Sequence, residues 1–205
     1  MIYIGQTRSR DLIAELESLG YGEITQRQEV PPRRTPWALD NGAFGDWRAG
    51  RPFDAMQYRA ALAKTAGQAI RPEFVVVPDR VAAGLDSLAM SLEWVDECSQ
   101  VGSPYLVVQD GMIEADVAPV IDRFDGLFVG GTLEWKIATG AQWVNTAHRH
   151  GKRCHIGRVG TRRRVAWARR IGADSIDSCL PLWSRGKLNQ FIDAVNGVQG
   201  ELGGM

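Results

Sequence analysis

The sequence predicts a compact (β/α)8 TIM-type barrel built as a single domain over residues 1–205. Three observations lead there. Eight short apolar runs are separated by segments with helical spacing of their apolar residues. Three of the runs end in an acid, at Leu39-Asp40-Asn41-Gly42, Val76-Val77-Pro78-Asp79 and Ser175-Ile176-Asp177-Ser178. In a parallel α/β protein the C-terminal strand ends share one face, so acids placed there line one pocket. The competing architecture, an open doubly wound sheet, lacks its usual mark, because no Gly-x-Gly-x-x-Gly follows the first strand.

The elements follow in order. Ile2 to Ile4 reads as a strand, and Ser9 to Leu19 as a helix ended by Gly20. A short second strand falls near Glu23 to Thr25. Pro31, Pro32 and Pro36 punctuate the loop before a third strand, Trp37 to Leu39, and Phe53 to Ala69 has helical spacing. Phe74 to Val77 is a buried strand, followed by a helix from Leu85 to Cys98 and a strand from Tyr105 to Val108. A helix from Ile113 to Arg123 leads to a strand from Leu127 to Val129. The pattern then continues with helix Leu133 to His150, strand Arg153 to Ile156, helix Arg162 to Ile171, strand Ser175-Ile176 and a last helix from Lys187 to Val195.

Length and composition fit that architecture. A chain of 205 residues, 44% hydrophobic and 23% charged, has the size and makeup of one globular domain with a substantial core. The N-terminus turns polar at once, and no apolar stretch approaches the roughly 18 residues that span a membrane. A cytoplasmic protein without membrane contact is expected. Cys98, Cys154 and Cys179 have no paired spacing, which argues against a disulfide framework or a structural zinc site.

The net charge of +0 conceals a strong polarity. Between Glu73 and Glu134 twelve acids face Arg80 and Arg123 alone, whereas Trp135 to Lys187 carries twelve Lys and Arg against Asp174 and Asp177. The densest cations are Arg158, Arg162, Arg163, Arg164, Arg169 and Arg170. Such a patch is either a solvated helix face or a surface for an anionic partner. On the second reading Arg158, Arg162, Arg163, Arg164 and Arg185 are the candidate nucleic-acid contacts.

The strand ends also supply the means to read a flat heterocycle. Strand five ends in Gln109-Asp110-Gly111 and strand six in Gly130-Gly131-Thr132. Glycines at a strand end let a planar ligand approach the main chain. Guanine presents donors at N1 and its exocyclic amine and an acceptor at O6; Asp79, Gln109 and the main chain of Gly130, Gly131 and Thr132 complement both. Taken singly, each of these residues is better explained as a turn or cap; it is their combination that points to a ligand. Trp47 and Trp183, near the expected rim, are candidates for base stacking. His148 and His150 read as surface residues, and His155, inside a strand, as a core histidine.

In this arrangement the chain resembles the tRNA-guanine transglycosylases, and most closely their short DNA-acting relatives, the DpdA-type deazapurine DNA-modification proteins. Leu39-Asp40-Asn41-Gly42-Ala43-Phe44 is similar to the family segment Ser-Asp-Ser-Gly-Gly-Phe, and Val77-Pro78-Asp79 falls where the family keeps a base-reading aspartate. Val108-Gln109-Asp110-Gly111 and Val129-Gly130-Gly131-Thr132-Leu133-Glu134 resemble its Gln-Gly and Gly-Gly-Leu-Ala stretches. His155-Ile156-Gly157-Arg158-Val159-Gly160 resembles its Gly-Val-Gly turn, and Ile176-Asp177-Ser178-Cys179-Leu180-Pro181 its Phe-Asp-Cys-Val-Leu-Pro segment. The Cys-x-Cys-x-x-Cys and His zinc ligands of the tRNA enzymes have no counterpart here.

The resemblance implies replacement of guanine in DNA by a 7-deazaguanine derivative. The partners would be guanine-containing DNA, a free 7-deazaguanine-type base and room for an additional modification protein. Asp177 would be the nucleophile and Asp40 the acid/base residue, although the residues alone allow the two to be exchanged. A covalent aspartyl-glycosyl intermediate conserves the glycosidic bond energy, so no cofactor is expected. Two other readings remain open: an N-glycosidase that hydrolyses without exchange, and a nucleic-acid-binding protein without catalysis.

Overall fold

The computed structural model describes residues 1–200 and closes eight parallel strands into a barrel in the order of the sequence. The first half runs β1 (Ile2–Gly5), α1 (Arg10–Ser18), β2 (Gly22–Gln26), β3 (Trp37–Asp40), α2 (Ala43–Arg48), α3 (Ala55–Ala66), β4 (Val75–Val76) and α4 (Gly84–Ser99). The second half runs β5 (Pro104–Val108), α5 (Glu114–Val117), β6 (Gly126–Val129), α6 (Leu133–Arg149), β7 (Arg153–Ile156), α7 (Arg162–Arg170), β8 (Ser175–Ser178) and α8 (Arg185–Gly200). Several helices start where a short polar side chain can accept from their first turn. Ser9, Asp54, Thr132 and Thr161 accept from the backbone N–H of Leu12, Gln57, Trp135 and Arg164.

Alternation along the strands divides the core in two. Tyr3, Ile24, Ala38, Phe74, Val76, Tyr105 and Val107, with Phe128 against them, fill the barrel interior. Phe74 and Tyr105 stack there with ring centroids 4.4 Å apart. The intervening residues, among them Ile4, Leu39, Leu106, Leu127 and Ile156, face outward and pack under the helices. The next inward positions toward the C-terminal ends are Gln26, Asp40, Gln109, Gly130 and Asp177. The pleat itself therefore delivers polar groups to one mouth.

One expected helix comes out differently, and one helix forms where none was expected. The helix expected from Ile113 to Arg123 is split into α5 and a 3-10 turn at Ile121–Arg123, because Pro119 has no N–H to continue the helical ladder. The six residues of α2 form a helix between the third strand and the helix expected from Phe53, started by Gly42 in the left-handed region at φ 79°.

No helix connects β2 and β3. The loop between them instead buries Arg34 against Glu23, Nη1 to Oε2 at 3.4 Å, with Arg34 Nη2 donating to the carbonyl of Ile4 at 2.9 Å. Glu23 Oε1 accepts from Thr25 Oγ1, Gln6 Nε2 and the backbone N–H of Arg33. Removing either charge would strand the other in the interior.

The β3–β4 seam is the shortest, with the single register pair Leu39 and Val75. Beyond it the backbone ladder stops for local reasons. Val76 O accepts from the Tyr58 hydroxyl at 2.7 Å, and Pro78 has no N–H. Asn41 takes over with its side chain, donating from Nδ2 to Val77 O at 2.9 Å and to Asp79 Oδ1 at 2.7 Å.

Candidate active site

A cavity of about 840 Å³ opens at the C-terminal mouth of the barrel, a size that suits a nucleoside-sized ligand. Asp40, Asp79 and Asp177 all line it, together with Gln109, Gly130, Gly131, Arg158 and Arg164. Ile24, Val76, Val107 and Phe128 form its apolar wall.

Asp177, on β8, is 6% exposed. Its Oδ1 accepts from His155 Nε2 at 2.9 Å and from the backbone N–H of Arg158 at 3.1 Å. Among the described residues no hydrogen bond reaches Oδ2, which leaves that oxygen for a ligand. Asp40, at the end of β3, has one donor, the backbone N–H of Gly42 at 3.2 Å. Burial, reinforced by the charge of Asp177, pushes the Asp40 carboxyl up to about 6 against the Gly42 hydrogen bond. Two carboxyls in one cavity thus have unlike surroundings.

Asp79 is held on both oxygens, by Asn41 Nδ2 and by Gln109 Nε2 at 2.6 Å. Gln109 in turn accepts from the backbone N–H of Ala82 at 3.1 Å. Burial pushes Asp79 up to about 6, with the Asn41 hydrogen bond opposing and the Asp40 charge assisting. Gly130 must be glycine, because a Cβ there would lie 2.6 Å from Val107 Cγ1 and 2.8 Å from Gln109 Nε2. Gly131 adopts φ 67°, a conformation that favours glycine and turns its carbonyl toward the mouth side occupied by Arg158.

The other expected contacts fall in several places. Thr132 does not line the cavity: it caps α6, and both its backbone N–H and its hydroxyl donate to Asp110. Arg185 is exposed but tied to Glu15 on α1 by two hydrogen bonds. Arg162 and Arg163 are exposed at the start of α7, whereas Arg164 reaches the cavity. Arg158 is half-buried, with its guanidinium turned inward over Phe44 and its Nη2 donating to Gly131 O. Trp183 lines the mouth at 75% exposure, and Trp47 packs on Phe44 with ring centroids 5.6 Å apart.

Two residues beside the nucleophile candidate are visible only in the fold. His155 is completely buried; its Nδ1 lies 2.8 Å from Ser175 Oγ, and its ring stacks on Phe128 at 4.6 Å. Burial holds its pKa below the usual histidine value, with the Asp177 hydrogen bond opposing. Its signal in the sequence is its alternation with Cys154 and Ile156, which puts it on the inward face of β7 one strand from Asp177. Lys136, counted among the cations of the basic half, is an interior residue that donates from Nζ to Gly157 O. Burial, assisted by the Arg158 charge, pushes it down to about 7. It braces the Gly157-Arg158 turn from below.

Among the described residues no group of three or more His, Cys, Asp or Glu side chains is placed to hold a metal ion, and no helix is long and apolar enough to cross a membrane. Cys98, Cys154 and Cys179 are free thiols. No protein-family model matches the chain, and no curated protein matches it significantly.

Proposed function

We propose that the protein is a base-exchange glycosyltransferase that replaces guanine in DNA with a 7-deazaguanine derivative. The observation that carries the reading is the unlike pair Asp177 and Asp40 in one cavity. Asp177 Oδ1 is fixed by two donors, so Oδ2 is directed for attack on C1′ of the sugar. The C1′–N9 bond breaks as the ester forms, its electron pair leaves with the base, and Asp40 supplies the proton the base needs. A carboxyl near 6 can hold that proton close to neutrality and still release it. The incoming base then attacks C1′ through N9, gives its N9 proton to Asp40 and frees Asp177. Atoms and charge balance without a cofactor.

Asp79, Gln109 and the main chain of Gly130 and Gly131 offer the edge for a guanine-type ring, over an apolar wall. The exposed cations of α7 and the Trp183 rim favour a polynucleotide over a free nucleoside. A duplex base is unreachable in its stack, so the DNA must be opened or the guanine flipped.

The test incubates the protein with labelled guanine and, separately, DNA, RNA or guanosine. Label should enter DNA, and the denatured protein should carry a covalent glycosyl adduct. Asp177→Asn should lose both by roughly three orders of magnitude or more. Release of guanine without incorporation would identify a hydrolase instead, and DNA binding with neither reaction a non-catalytic protein.

A further inference from the structure

Arg158 sits where a ligand would compete with it. Its backbone is in the left-handed region at φ 62°, uncommon for a residue with a side chain. That conformation lets one residue do two things. The backbone N–H donates to Asp177 Oδ1, while the side chain turns back across the cavity. The guanidinium carbon lies 3.8 Å from the centroid of the Phe44 ring, and Nη2 donates to Gly131 O. Asp177, Asp40, Asp79 and Asp110 surround it with negative charge. The side chain therefore bridges the loops after β3, β6 and β7.

The contacts it makes are those of a planar, donor-edged group: a face against an aromatic ring and N–H groups toward a main-chain carbonyl. Guanine contains the same unit, an N1–H and an amine on one carbon of a flat ring. We propose that Arg158 is an internal occupant of the base slot, which stacks on Phe44 and donates to Gly131 O and must swing out before a guanine-type base binds. The proposal rests on reading the cavity as a base pocket. The displaced guanidinium moves toward the mouth, where Arg48 and Arg164 also stand. Together the three make a cationic rim for a phosphate of the strand that carries the target base. Arg158 thereby has one position for the empty site and another for the loaded one.

Calorimetry with free guanine on wild type, Arg158→Ala and Arg158→Gly tests this. Arg158→Gly suits the positive φ and guards against a folding defect in Arg158→Ala. Both variants should bind guanine about tenfold more tightly than wild type, because the competing stack and hydrogen bond are gone. Binding by the variants alone would support the proposal equally. If wild type binds guanine and both variants bind it no better, Arg158 is not an occupant, although the base-pocket reading stands. If none of the three binds guanine, both readings fail.

Discussion

His155 Nε2 and Asp177 Oδ1 meet at 2.9 Å across the β7–β8 seam, deep enough that the imidazole has no exposure to solvent. The register that pairs His155 with Ser175 also puts the serine hydroxyl 2.8 Å from Nδ1. Because burial favours the neutral ring, Ser175 donates to Nδ1 and Nε2 carries the proton toward Asp177. A neutral donor orients one carboxylate oxygen and leaves the other available.

Replacing His155 therefore tests orientation. His155→Leu should slow formation of the glycosyl adduct roughly 10²-fold, while His155→Gln, which retains an amide N–H, should recover much of the rate. Single-turnover kinetics with an intact-mass readout checks both. Equal losses in the two variants would point to packing alone.

Asp40 makes stability depend on pH in a defined direction. Its carboxyl is pushed up to about 6 when folded and returns to the ordinary aspartate value of 3.8 when unfolded. The folded state therefore binds the proton more tightly, and the stabilisation this gives at low pH is lost as pH rises through 6. Asp40→Asn should match wild type near pH 4 and exceed it above pH 6 by on the order of 2 kcal/mol. Urea unfolding of both proteins across this range provides the check, and a constant difference would refute the assignment. The same variant should lose base exchange.

Asp79→Ala removes the shared acceptor of two buried amides, Asn41 and Gln109. Guanine binding should weaken at least tenfold, with little change for an adenine analogue, because the site loses the group that accepts from the guanine donor edge. Parallel titrations with the two bases decide the matter. An equal loss for both would assign Asp79 to architecture.

Neutralising Arg162, Arg163 and Arg164 together should weaken DNA binding for all sequences. Each lost phosphate contact should flatten the plot of log affinity against log salt by about one unit. Binding measured at several salt concentrations tests this; an unchanged slope would place the DNA elsewhere.

The barrel was legible because its strands are short apolar runs, and the three acids because each directly follows one. What lay across strands was not. His155 in isolation reads as a core residue, and only the register beside β8 reveals that its ring faces Asp177. Lys136 disappears into the count of a basic half and Arg158 reads there as a surface cation, yet one is interior and the other turns into the cavity. Thr132 stands beside two glycines of the site, but its hydroxyl is committed to Asp110. A linear pattern gives the face on which a residue lies; it does not give the partner that already holds it.

The Asn41 side chain, continuing the β3–β4 seam where Pro78 ends the backbone ladder, makes the cavity lining and barrel closure share the same atoms. Its amide is at once a rung of the wall and the hook that holds Asp79. Tuning the pocket at this corner therefore also alters the staple of the shortest joint in the ring. The cavity is freer to change on the opposite side, at Arg158, whose side chain lies away from the β3–β4 seam.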